Sequence, residues 1–253
     1  MIFSRKSTKY IPEPAAVLLD LDNTLYDYGL SHERAILAVS SKAQRALGVD
    51  ATEFDRAFAE ARSDVKSRLG NTASSNSRLL YFQRMIELLG MRTQVMLALD
   101  FRQTYWRTFL ASCELFPGVK EFLEDMRLAE IPTAIVSDHK AHIQFRKIIY
   151  LGLEGYFDYV VTSEESGLDK PDSSIYDLAL NKLDIGEGQV WMIGDHPLKD
   201  IKGAREAISA CTFQKKHRGV ELASGDDAAD VVFEAFKELK EHYRHLLPKE
   251  VGN

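Results

Sequence analysis

Residues 15–27 read AAVLLDLDNTLYD, an apolar run that ends in two carboxylates two positions apart. In an extended strand alternate side chains share a face, so Asp20 and Asp22 point the same way and Leu21 points opposite. At about 5 Å and an effective dielectric near 20, their repulsion is on the order of 3 kcal/mol, enough to raise one pKa unless a cation intervenes. The pair therefore predicts a positive partner close by.

The chain has 253 residues, which suits one large domain or a core carrying a smaller insertion. With 45% hydrophobic and 28% charged residues, it has the composition of a globular protein with a substantial core. A formal net charge of -6 argues against nucleic acid as a partner, because displacing counterions from phosphates needs a basic face. The short cluster Lys215, Lys216, His217, Arg218 reads as a solvated loop after a strand. Cys113 and Cys211 stand far apart, in no metal or redox spacing, which suits a reducing cytoplasm. Arg5, Lys6 and Lys9 are followed by Pro12, Glu13 and Pro14, and AAVLL is too short for a signal-peptide core. No apolar run approaches the roughly 20 residues that span a bilayer, so a soluble cytoplasmic protein without a membrane partner is expected.

No proline occurs between Pro14 and Pro117, and Gly48, Gly70 and Gly90 punctuate that stretch as helix terminators would. Four helices fit. Phe54, Phe58, Ala61, Val65 and Leu69 recur at helical spacing in the second, and Leu97, Phe101, Tyr105 and Phe109 in the fourth. Residues 28–112 thus read as an all-helical insertion, with the polar loop NTASSNS at 71–77 available to face a cleft. Beyond residue 113 strands alternate with helices: IPTAIVSD at 131–138, FDYVVTS at 157–163, QVWMIGD at 189–195 and ACTFQ at 210–214. Helices are expected from near Lys140, Ser173 and Leu198, with Phe233, Phe236, Leu239 and Tyr243 marking a closing amphipathic helix. The predicted fold is α/β, a Rossmann-like parallel sheet with helices on both faces, formed by residues 1–27 and 113–253. Ligands of such sheets bind beyond the carboxyl ends of the strands.

Those ends carry Asp20 and Asp22, then Ser137 and Asp138, then Asp195 with Asp200 shortly after; GLDKPDSS at 167–174 brings Lys170 ahead of a helix. Asp20, Asp22, Asp195 and Asp200 set against Lys170 leave a surplus of negative charge that a dication resolves. Every offered ligand is a hard oxygen, so magnesium is the expected metal. Magnesium, a lysine and a hydroxyl together equip a site to hold phosphate, and a carboxylate can serve as nucleophile or as acid and base.

As a set, DLDNTLYD, IVSD, DKPD and GDHPLKD resemble the four motifs of the haloacid dehalogenase superfamily of phosphohydrolases, and the insertion resembles the helical cap of its subclass I. The resemblance implies that Asp20 attacks phosphorus to form an aspartyl-phosphate. Asp22 would protonate the leaving oxygen and then deprotonate the hydrolytic water. Magnesium would be held by Asp20, the backbone carbonyl of Asp22, Asp195 and Asp200, while Ser137 and Lys170 hold phosphoryl oxygens. Backbone donors from Leu21 to Asn23 would line the phosphate site, beside Thr24 and Asp138. Asn23 stands where many relatives have glycine, and it tolerates unusual backbone angles better than most residues. His196 and Pro197 replace small polar residues, and His196 reads as a surface loop residue. Retention of Asp22 implies a phosphate ester rather than a carbon–halogen or phosphonate bond.

The expected activity is therefore magnesium-dependent hydrolysis of a small phosphomonoester such as a nucleotide, a sugar phosphate or phosphoglycolate. A sugar phosphomutase of the same superfamily fits the same motifs. A receiver-type phosphoacceptor fits the residue types but neither their order nor the chain length, and a binding scaffold without turnover fits the fold alone. Arg62, Lys66, Arg68, Asn71 and Arg78 are available in the insertion for an anionic or polar leaving group, or for solvating helix faces. The motifs leave the physiological substrate and the oligomeric state open.

Overall fold

A computed structural model of the chain describes residues 2, 3 and 11–247; Arg5, Lys6 and Lys9 lie outside the described residues. The chain divides into two compact units, residues 1–27 with 114–253, and residues 28–113. Cys113 falls in the helical unit, its thiol donating to the Phe109 carbonyl at 3.3 Å.

The larger unit is built on a seven-stranded sheet. Its strands are β1 (Ile2–Phe3), β2 (Pro14–Leu19), β3 (Thr133–Ser137), β4 (Tyr159–Thr162), β5 (Gln189–Gly194), β6 (Cys211–Lys215) and β7 (Val231–Phe233). They lie in the order β1-β7-β6-β5-β2-β3-β4. Six run parallel, and β1 pairs antiparallel with β7 at the edge. Alternation along each strand sends side chains to both faces. Leu18, Val136, Val161 and Met192 pack on Ile175, Tyr176 and Ala179 of α8 (Ser173–Leu183) and on Ala204 of α9 (Ala204–Ile208). On the other face Trp191 and Phe213 meet with ring centres 4.5 Å apart, and Phe122 of α5 (Val119–Leu128) lies against Phe236 and Tyr243. Burial on both sides is why these strands read as continuous apolar runs.

The smaller unit holds α1 (Tyr28–Leu47), α2 (Ala51–Leu69), α3 (Arg78–Leu88) and α4 (Val95–Ala111). Gly48, Gly70 and Gly90 follow α1, α2 and α3, each with a positive φ that lets the chain turn away without a Cβ clash. Phe58 and Phe82 meet at 5.5 Å, and Phe82 and Phe101 at 5.9 Å, so the apolar stripes of three helices share one aromatic core. NTASSNS contains a tight turn over Ala73–Asn76 whose Ser75 is buried.

Two expectations are corrected. Phe233 ends β7 rather than opening a helix: Val231 and Val232 are β-branched and buried, and helical turns begin only at Phe236. The closing helix is correspondingly short, Lys240–Tyr243. Lys215 is no solvated loop residue either. It is 2% exposed at the end of β6, its ammonium 4.3 Å from the Phe116 ring centre and bonded to the Lys216 carbonyl at 2.9 Å.

One glycine is set by packing at the sheet edge. A Cβ on Gly194, the last residue of β5, would lie 2.3 Å from Cβ of Asp200. Gly194→Ala is expected to cost about 2 kcal/mol or more in urea unfolding, with the loss concentrated at the Asp200 turn.

Candidate active site

β2 ends at Leu19, and Asp20 is pinned to the neighbouring strand by its amide, which donates to the Ile193 carbonyl at 2.9 Å. The chain then turns sharply: Asn23 has φ 63, and the Leu25 amide donates to the Leu21 carbonyl at 3.1 Å. Asparagine tolerates this left-handed angle, as expected of it. Because the turn begins at the strand end, Asp20 and Asp22 do not share one cation. Each has its own lysine.

Lys170, 2% exposed, places all three of its protons: on Asp20 at 2.7 Å, on Asp200 at 2.6 Å and on the Val136 carbonyl at 2.9 Å. Burial alone would lower its pKa, but Asp20, Asp200 and Asp138 together hold the ammonium well above its ordinary range. Lys147, fully buried on α6 (Ala141–Tyr150), donates to both carboxylate oxygens of Asp22 at 2.7 Å, and the Tyr26 hydroxyl donates to one of them.

Asp20, Asp195 and Asp200 each offer one carboxylate oxygen, all within 4.8 Å of one another. Burial pushes Asp20 up to about 7, with Asp200 and Asp22 adding to the effect and Lys170 opposing it. Burial likewise raises Asp195 to about 8, reinforced by Asp200 and Asp20. One lysine thus faces three clustered acids. Asp200 is oriented by the π-helical turn Pro197–Gly203, which brings its second oxygen within 2.9 Å of the His196 amide. His196 is exposed and caps that turn, its Nδ1 accepting from the amides of Leu198 and Lys199, which accounts for it without chemistry.

The other predicted residues gather on the same edge. The Thr24 hydroxyl donates to Asp20 at 3.2 Å. Ser137 is buried and accepts from Gln144 at 2.6 Å, which leaves its own proton available to an incoming oxygen. Asp138 is committed elsewhere: it accepts from the Lys170 amide at 2.8 Å and from the Lys199 ammonium at 2.6 Å, bracing the loop that carries Lys170. Lys147, Tyr26, Gln144 and Lys199 were not singled out from the sequence. A polar pair at i and i+3, Gln144 and Lys147, between the buried Ile143 and Ile148 was the one available signal.

The family model for haloacid dehalogenase-like hydrolases matches residues 14–207. The chain belongs to this family. The hydrolase is 37% identical over 220 residues to a ribulose-1,5-bisphosphate 5-phosphatase of Halopiger xanaduensis, covering 85% of this chain and 90% of that one. It is 28% identical to a glyceraldehyde 3-phosphate phosphatase of Methanopyrus kandleri, over 91% and 97% of the two chains. In fold it is similar to a 2-haloacid dehalogenase of Pseudomonas syringae, with TM-score 0.71, 21% identity and coverage of 92% and 99%. A HAD phosphatase of Thermococcus onnurineus gives TM-score 0.65 at 21% identity, over 89% and 96%. Family membership sets aside the receiver reading.

The crowding has a measurable consequence. Asp20 and Asp195 titrate near 3.8 when unfolded and at about 7 and about 8 in the fold, so the folded state binds more protons. Stability in chelator is therefore retained at low pH and lost as pH rises through those values. Asp195→Asn removes one crowded charge, and its melting temperature relative to the parent is expected to climb between about pH 5 and about pH 8.

Proposed function

We propose that the hydrolase is a magnesium-dependent phosphatase of the cytoplasm that cleaves a small phosphomonoester through an aspartyl-phosphate on Asp20. In this reading the sheet unit is the catalytic core and residues 28–112 form a cap. The observation that carries it is the three-acid cluster with Lys170 as the one buried cation bonded to it among the described residues. The named activities of the two relatives favour a sugar phosphate as substrate.

The donor set fits magnesium: oxygens only, with Asp20 and Asp200 buried and Asp195 partly so, and with more negative charge than Lys170 offsets. Asp20, Asp195, Asp200 and the Asp22 carbonyl would hold the ion, which when bound supplies positive charge against the phosphoryl oxygens. The protein's own groups do the rest. A carboxylate oxygen of Asp20 attacks phosphorus as the ester P–O bond breaks. Asp22 gives its proton to the departing oxygen, then takes one from the water that attacks the phosphoenzyme, releasing phosphate and restoring Asp20. Lys170 fixes the direction of the nucleophile, and the Ser137 hydroxyl is free to donate to a phosphoryl oxygen. Lys147 and Tyr26 hold the Asp22 carboxyl in one orientation.

A phosphate-release screen over sugar phosphates, nucleotides and phosphoglycolate, with magnesium or with chelator, tests the reading. Turnover is expected only with magnesium and is expected to fall by about 10³-fold or more in Asp20→Asn, which removes the nucleophile. Undiminished activity in that variant would reject Asp20. Lys147→Met is expected to lower kcat by about tenfold or more with a smaller change in KM, because it acts on the orientation of the proton-transfer group rather than on binding.

A further inference from the structure

One buried amide of the sheet unit is held by its donor end alone. Gln144 lies on α6, one helical turn before Lys147, and both side chains are fully buried. At that spacing they share one face of the helix, so the turn that brings Lys147 to Asp22 also brings Gln144 to the end of β3. There its Nε2 donates to the Ser137 hydroxyl at 2.6 Å and to the Asp138 carbonyl at 3.2 Å.

These bonds fix which way the amide faces. A carbonyl oxygen only accepts, so the end that meets Asp138 is the NH2 group, and the other proton of that group goes to Ser137. Oε1, at the opposite end, is buried without a hydrogen-bond partner. Such an unpaired acceptor is costly, yet the donor end is fully used. Ser137 is 1% exposed, and with a Gln144 proton on its oxygen its own proton points away from α6. Among the described residues no acceptor takes it. A buried hydroxyl proton with no acceptor inside the protein is completed by an oxygen that a ligand brings.

The surroundings place that oxygen. Lys170 reaches from Asp20, at 2.7 Å, to the carbonyl of Val136, the residue before Ser137, at 2.9 Å. β3 pairs in parallel with β2, Ile135 opposite Leu19, so Asp20 and Ser137 end adjacent strands of one unit.

We propose that Gln144 is a positioning residue for phosphoryl transfer, which locks the Ser137 hydroxyl as a hydrogen-bond donor toward a phosphoryl oxygen. The proposal rests on the phosphatase reading and adds to it the group that decides what Ser137 does. A freely turning hydroxyl presents its lone pairs part of the time, and these repel a phosphoryl oxygen. One that already accepts from Gln144 presents its proton before substrate arrives and needs no reorganisation as charge builds on the phosphoryl group.

The test is a double-variant cycle on the magnesium-loaded full chain, read with p-nitrophenyl phosphate and with tungstate, a tetrahedral oxyanion that binds without turnover. Gln144→Met keeps the size of the side chain and removes its donors. It is expected to lower kcat/KM by about tenfold, more through kcat than through KM, and to weaken tungstate binding in calorimetry by about fivefold or more. Ser137→Ala is expected to lose at least as much. Adding Gln144→Met to it is expected to change neither reading further, because Gln144 acts through the hydroxyl. Gln144→Glu is nearly isosteric and turns an acceptor toward Ser137, so it is expected to lose at least as much as Gln144→Met. Bracing of the turn after β3 through the Asp138 carbonyl alone would lower the melting temperature and give a loss that persists in full beside Ser137→Ala, which would overturn the proposal. A Gln144→Met chain that matches wild type in both readings would overturn it too, as would a wild type that binds no tungstate. Tungstate binding that follows the expected pattern while no phosphomonoester is hydrolysed would reject the phosphatase reading alone. Normal hydrolysis with the same tungstate affinity in every chain would reject the Gln144 role alone.

Discussion

The ammonium of Lys170, held between Asp20 and Asp200 on the carbonyl of Val136, is the contact on which the carboxyl edge of the sheet depends. Three carboxylates within 4.8 Å repel one another strongly in a buried setting, and a single lysine reduces that repulsion without removing it. The residue is a site short of positive charge. Burial, with that shortage adding, pushes Asp20 and Asp195 far above ordinary carboxylates. Structure and chemistry have one electrostatic origin here.

The sheet makes the crowd unavoidable. β2 lies between β3 and β5, all parallel, so the ends that carry Asp20, Ser137 and Asp195 emerge side by side although the residues are far apart in sequence. Backbone detail then sharpens the placement. Gly194 leaves room for Asp200 against the strand end, and Asn23 accepts the left-handed angle that turns the chain after Asp20. Asp138 shows the other use of a strand-end acid: it braces the loop of Lys170 from its backbone and from Lys199.

The helical unit follows a different rule. Its aromatic core is ordinary helix packing, yet Arg78 is buried among phenols and a neutral imidazole instead of acids. Where the sheet unit gathers acids in excess of the cation bonded to them, this unit has a buried cation to which no acid is bonded among the described residues.

The fold class, the helical insertion and the acids and lysine of the strand ends were legible in the sequence, because short apolar runs ending in Asp, and glycines ending helical stripes, are local patterns set by backbone periodicity. Phe233 misled because its spacing to Phe236 and Leu239 suits a helix while its neighbours Val231 and Val232 favour a strand, and sheet pairing decided between them. Lys147, Lys199 and the burial of Arg78 and Lys215 were not legible, since a charged residue on a helix or at a strand end looks solvated until tertiary packing covers it. The sequence by itself determined which groups stand at the carboxyl edge. Only the tertiary structure decided which cation meets which acid, because that depends on side chains brought together from distant segments, as Lys147 is with Asp22 and Lys170 with Asp20.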